Sequence, residues 1–106
     1  MTEKELKELR GAVIQLGKLV QRHGKKYYFA QLKQLSRMLE CIDSDLDNTE
    51  KTEYLVDCYR MLFPVRGGLT EFYIHDDDYE TRKQLNAPLD EAVAKMKEII
   101  KPYMVS

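Results

Sequence analysis

Three clusters of side chains in this 106-residue chain have the types and spacing from which chemistry is usually built. Asp43, Asp45 and Asp47 alternate along the chain, as do the first carboxylates that an EF-hand loop offers to calcium. The rest of that pattern fails. Asn48 stands where the loop needs its glycine, Glu50 where an aliphatic residue belongs, and Tyr54 where a bidentate carboxylate must close the site, with Glu53 one place early. A solvated, helix-capping link is the expectation for residues 43–50. His75 with Asp76, Asp77 and Asp78 offers an imidazole and three carboxylates, but consecutive residues do not converge on one ion without help from elsewhere, and no HExxH spacing is present. These aspartates are expected to form an exposed turn and to cap the element that follows. Arg66-Gly67-Gly68 can aim backbone amides at an anion, yet the Lys-Ser/Thr of a P-loop and the third glycine of a dinucleotide fingerprint are missing, so a chain reversal is the simpler reading.

Nucleophilic chemistry finds no support. No serine lies in a GxSxG elbow, and the two His and two Cys are not arranged as a nucleophile with its base. Glu71 with Asp76 or Asp77 offers a carboxylate pair, but a chain with 18 acids contains such pairs by chance. No catalytic residue, metal or cofactor is therefore expected. Cys41 and Cys58 fall at helical apolar positions far from any CxxC spacing and read as reduced, buried thiols. Seven tyrosines remain. Tyr28, Tyr54, Tyr59 and Tyr103 suit the boundary of a core; Tyr27, Tyr73 and Tyr79 fall near turns, where this residue favours interfaces.

The elements that must position these residues are helical. Thr2 and Glu5 have capping-box spacing, and Leu6, Leu9, Val13, Leu16 and Val20 then recur at intervals of three and four, predicting a helix that ends at Gly24 as C-cap. Gly11 and Gly17 inside it suggest close approach by another backbone. A second helix is expected over about residues 26–42, with Tyr28, Leu32, Leu35, Leu39 and Ile42 inward, supplemented by Phe29 and Met38. A third is expected over about 49–62, with Leu55, Cys58, Tyr59 and Leu62 inward, and Pro64 ends it. Residues 64–87 form a long irregular connection, pinned by Leu69, Phe72 and Ile74, with a turn or two of helix possible over Tyr79 to Leu85. A last helix starts near Pro88, shows Leu89, Val93, Met96 and Ile100 on one stripe, and ends near Pro102, so that the tail from Tyr103 to Ser106 frays or turns away.

The fold class expected is all-α, a single domain over residues 1–106 built as an antiparallel bundle of about four helices. Up-and-down order would put His23, Lys25 and Lys26 at one end with the start of the Pro64 segment, and the acidic 43–50 link roughly 25 to 30 Å away. The 17 basic and 18 acidic residues nearly cancel, so the chain lacks the positive field that nucleic acid or an anionic membrane would reward. No run approaches the roughly 18 to 20 apolar residues of a membrane span, and the Met-Thr-Glu-Lys-Glu start is too charged for a signal peptide. The cytoplasm is the expected location.

A charged helical hairpin, then Phe63-Pro64, Gly67-Gly68-Leu69-Thr70-Glu71-Phe72-Tyr73-Ile74, a polar gap and an amphipathic C-terminal helix, resembles small uncharacterised bacterial helical domains. Their compact acidic and aromatic surfaces look similar to immunity proteins of contact-dependent or polymorphic toxin systems. The resemblance implies a non-catalytic inhibitor or protein-binding module and carries over no catalytic residue. Arg66, Gly67, Gly68, Glu71, Tyr73, His75 and Asp76 then mark the partner-binding loop, with Leu69 beside them. This chain departs from the resemblance in lacking a strongly acidic net charge. The expected partner is a protein or, alternatively, a second copy packing on the heptad-like stripes of the first two helices. A metal-assisted hydrolase built on Glu71, His75 and Asp76 to Asp78 is the third reading.

Overall fold

The Thr2 hydroxyl accepts the Glu5 amide at 3.1 Å while the Glu5 carboxylate accepts the Thr2 amide at 2.9 Å, completing the expected capping box. From that cap, α1 runs over Glu3–Gly24, and its stripe of Leu6, Leu9, Val13, Leu16 and Val20 is buried throughout. The computed structural model describes residues 1–104 of the chain. α2 follows over Phe29–Ile42, α3 over Asn48–Leu62 and α4 over Tyr79–Ile100, and short 3-10 turns occupy Gly68–Glu71 and Lys101–Tyr103. The described residues contain no strand. α1 packs on both α2 and α4, and α2 packs on α3, whereas α3 and α4 touch only lightly, so the lateral order is α4, α1, α2, α3. The α1 stripe and Leu35 and Ile42 of the α2 stripe are buried inside this bundle, while Tyr28, Leu32 and Leu39 are only partly buried.

Polar contacts fix the antiparallel register. Arg10 pairs with Asp43 at 3.0 Å, and the amino group of Met1 donates to Thr52 at 2.9 Å, placing the start of α1 beside the end of α2 and the first turns of α3. Gln15 donates to the Pro88 carbonyl at 3.0 Å, and Tyr103 donates to Glu5 at 2.6 Å, aligning α4 against α1 in the opposite direction. Glu5 is consequently held below the ordinary carboxylate range, chiefly by the Thr2 amide and next by the Tyr103 hydroxyl. Two of the three aspartates of the 43–50 link serve as ion-pair partner and cap: Asp43 meets Arg10, and Asp47 accepts the Glu50 amide at 2.9 Å.

Five expectations need correction. α2 begins at Phe29, because Tyr27 and Tyr28 both donate their amides back to the Gly24 carbonyl and make a turn of residues 25–28. Phe29 is 59% exposed, with Lys33 over its ring at 4.9 Å, and does not supplement the core. α4 starts nine residues before Pro88, which sits inside it. Proline removes one amide from the helical ladder, but the turn upstream is nucleated independently by Asp78, whose carboxylate accepts the Thr81 amide at 2.9 Å. Tyr103 does not fray: Lys101–Tyr103 forms a 3-10 turn and Tyr103 packs against the core; Val105 and Ser106 lie outside the described residues.

Gly11 and Gly17 also depart from expectation. No atom lies within 4 Å of where a Cβ would sit on either, so no neighbouring backbone explains them. Gly11→Ala should therefore raise unfolding free energy by about 1 kcal/mol through helix propensity alone. Urea unfolding at neutral pH checks this, and an unchanged or lower midpoint would contradict the open surroundings of Gly11.

Candidate functional site

α3 ends where Phe63 leaves helical geometry ahead of Pro64, and the chain must then cross the end of the bundle to reach α4. Gly67 and Gly68 make the reversal with φ of 79° and 56°, values that side-chain-bearing residues rarely adopt. Gly68 is also sterically required. A Cβ there would lie 2.6 Å from the Leu62 carbonyl oxygen and 2.9 Å from Pro64 Cδ. Thr70 locks the turn by donating its hydroxyl to the Pro64 carbonyl at 2.8 Å, and Leu69 drops into the core.

From Phe72 onward the segment is extended and alternates. Phe72 and Ile74 are buried, while Glu71, Tyr73 and His75 face outward. Phe72 meets Tyr28 edge-on at 5.2 Å between ring centroids, and both rings crowd Gly24, where an added Cβ would lie 2.8 Å from each. Gly24 is thus the buried last residue of α1, required by two aromatic rings rather than by a left-handed cap.

Asn86, two turns into α4, is the buried polar side chain that no sequence pattern marks. Its side-chain oxygen accepts the Ile74 amide at 3.0 Å, and its side-chain nitrogen donates to the Ile74 carbonyl at 2.8 Å and the Arg82 carbonyl at 2.9 Å. The carboxamide therefore takes the place of a neighbouring strand, pairing both backbone groups of Ile74 with no sheet present. Arg82 adds a bond to the Asp76 carbonyl at 3.0 Å, with its guanidinium 5.5 Å from the Tyr79 ring centre. A lone asparagine two residues after the polar run Arg82-Lys83-Gln84 gives no periodic signal, and only its inward register relative to Leu89 hints at burial.

The marked residues divide accordingly. Arg66, Glu71, Tyr73 and His75 are exposed on the crossing segment, and the Tyr73 and His75 rings meet edge-on at 5.5 Å. Gly67 and Gly68 supply the turn, and Asp76 is half-buried, its carboxylate accepting the Asp78 amide at 2.9 Å. Asp78 caps α4 as expected, and the Thr81 amide and then its hydroxyl hold this carboxyl below its ordinary range. Burial pushes both cysteine thiols up; Cys58 also accepts a bond from Gln34 at 2.9 Å. No group of three His, Cys, Asp or Glu placed to hold a metal occurs among the described residues, and no described helix is long and apolar enough to cross a membrane.

The crossing end of the bundle also gathers exposed apolar surface. Tyr27 and Phe29 belong to the α1–α2 turn, Met61 and Val65 to the end of α3, and Tyr73 and Tyr79 to the approach to α4, each 47% exposed or more. Of the other large exposed apolar residues, Leu46 lies at the opposite end and Tyr54 partway along α3. Beside Val65, an open groove of about 510 Å³ separates α3 from α4, with Phe63, Leu69 and Val93 in its lining. Comparison with protein-family models, curated proteins and solved structures finds no match for this chain.

Proposed function

We propose that the protein is a non-catalytic protein-binding module, of the kind an immunity-type inhibitor represents, whose recognition surface is the segment crossing the end of the bundle. The observation that carries this reading is the construction of that segment. Its backbone is tied down by Asn86, Arg82 and Thr70, yet Arg66, Glu71, Tyr73 and His75 project from it without a core to fill. A preorganised loop presenting aromatic and charged groups loses little conformational freedom on binding, which is what a recognition surface requires. Exposed Tyr27, Phe29 and Val65 at the same end add apolar area for a partner to bury. Both cysteines are free and buried, which suits a reducing compartment, and the reading assigns the protein to the cytoplasm.

The test is affinity capture from the native host's lysate by tagged wild type beside an Arg66→Glu, Glu71→Arg double variant and Tyr73→Ala. These side chains are exposed, so all forms should melt alike. A stoichiometric protein retained by wild type and weakened at least about tenfold by either variant is the expected outcome. Equal capture by folded variants would remove the recognition surface from this segment.

A further inference from the structure

Charge is distributed unevenly along the hairpin of α1 and α2. From residue 11 to 39 the chain carries Lys18, Arg22, Lys25, Lys26, Lys33 and Arg37 and no Asp or Glu, whereas residues 40–57 hold seven carboxylates against the single Lys51. The hairpin arranges four of those cations around one groove. Its two stretches, about 410 and 320 Å³, adjoin at Gln21, Leu32 and Ser36 along the α1–α2 seam. Leu32 and Leu39 contribute apolar floor; Lys18, Lys25, Lys33 and Arg37 line it, and Glu40 is the carboxylate in its lining. None of the four cations is ion-paired with a carboxylate among the described residues.

Gly17 lies on this groove. A glycine in a helix interior weakens the helix, and nothing inside this fold approaches within 4 Å of its missing Cβ. The open space over Gly17 leaves room for a close approach from outside the chain. Gly11, by comparison, lines a groove with balanced charge, where Lys7 and Lys95 stand beside Glu8 and Glu91.

We propose that the α1–α2 groove is a docking site for an acidic amphipathic helix of a partner protein, seated with apolar side chains on Leu32 and Leu39 and carboxylates toward the four cations. Charge complementarity sets the sign of the partner, and two antiparallel helices with an apolar floor offer the ridges and groove into which a third helix packs. Lys18 and Lys25 stand two turns apart, about 10 Å, which matches carboxylates seven residues apart on the incoming helix. A long polyanion fits less well. Its phosphates would find apolar floor where they need donors, and Glu71 and Asp76 to Asp78 stand at the same end of the bundle. Phe29 borders both surfaces, but Gly17, Lys18, Leu39 and Arg37 lie outside the crossing segment, so the test does not depend on that reading.

The probe is a fluorescein-labelled amphipathic peptide of about 18 residues, Leu on one face and Glu on the other, titrated with the whole chain and followed by anisotropy. A scrambled peptide of the same composition, a duplex DNA oligonucleotide and phosphatidylserine vesicles are run beside it. Expected is micromolar binding of the amphipathic peptide, weakened about tenfold by scrambling, by the Lys33→Glu, Arg37→Glu pair and by Gly17→Leu. Gly17→Leu is the decisive variant, because it leaves every charge in place and fills only the groove. Should it melt early, Gly17→Gln and the charge-neutralising Lys18→Gln, Lys25→Gln pair carry the same test. Binding insensitive to scrambling or to these variants, preference for DNA or vesicles, or no binding at about 100 µM would overturn the proposal.

Discussion

Asn86→Leu is expected to lower the unfolding free energy by about 3 kcal/mol with little change in side-chain volume. The size of the effect follows from what is left behind. Ile74 is 3% exposed, and its amide and carbonyl both end on the Asn86 carboxamide, at 3.0 and 2.8 Å. Leucine satisfies neither, and each buried backbone group stranded without a partner costs about 1 to 3 kcal/mol. Hydrogen exchange locates the effect: the Ile74 amide should lose protection more than amides of the α1–α4 interface, because the crossing segment detaches before the bundle opens. A variant within about 0.5 kcal/mol of wild type, with Ile74 still protected, would mean that the carboxamide is not what holds the segment.

Gly68→Ala should be nearly as severe, about 2 to 3 kcal/mol, and more so than Gly67→Ala at about 1 to 2 kcal/mol. Both glycines have positive φ, so each alanine incurs backbone strain. Only Gly68 adds a collision: its Cβ would sit 2.6 Å from the Leu62 carbonyl oxygen and 2.9 Å from Pro64 Cδ, whereas nothing lies within 4 Å of a Cβ on Gly67. The order of the two variants in urea unfolding is therefore the test. If Gly67→Ala proved the more destabilising, the turn would not have the geometry described. If the crossing segment is the recognition surface proposed above, capture should weaken in Gly68→Ala even below its melting temperature, since the turn cannot close without moving Arg66 and Glu71.

The legible parts of the fold were those where chemistry repeats or stays local. The stripe of Leu6, Leu9, Val13, Leu16 and Val20 has a helical period, and the capping carboxylates Glu5, Asp47 and Asp78 act within three residues of themselves. Leu69, Phe72 and Ile74 were recognisable as pins because they are the apolar residues of an otherwise polar stretch. What escaped depends on contacts distant in sequence. Asn86 matters through a backbone 12 residues earlier, and Gly24 through the ring of Phe72. Pro88 misled because its preference for a first turn is weaker than a cap placed upstream at Asp78. Phe29 looked like core by hydrophobicity, but the turn at Gly24 shifts the start of α2 and leaves that ring outside. At the candidate site, residue types were readable while their division into outward groups and turn-makers was not, since that division is set by the alternation from Phe72 to His75.

The shared carboxylate of Glu5, which accepts both the Thr2 amide and the Tyr103 hydroxyl, has a consequence for connectivity. Residues 2, 5 and 103 converge on one side chain, so the described backbone nearly closes on itself at the pole away from the crossing segment. A cargo or solid support attached at Met1 would point away from Tyr73 and His75. Joined end to end by a short linker and reopened in the solvated 43–47 link, the chain could be cut at a different place without displacing a buried residue of the crossing end.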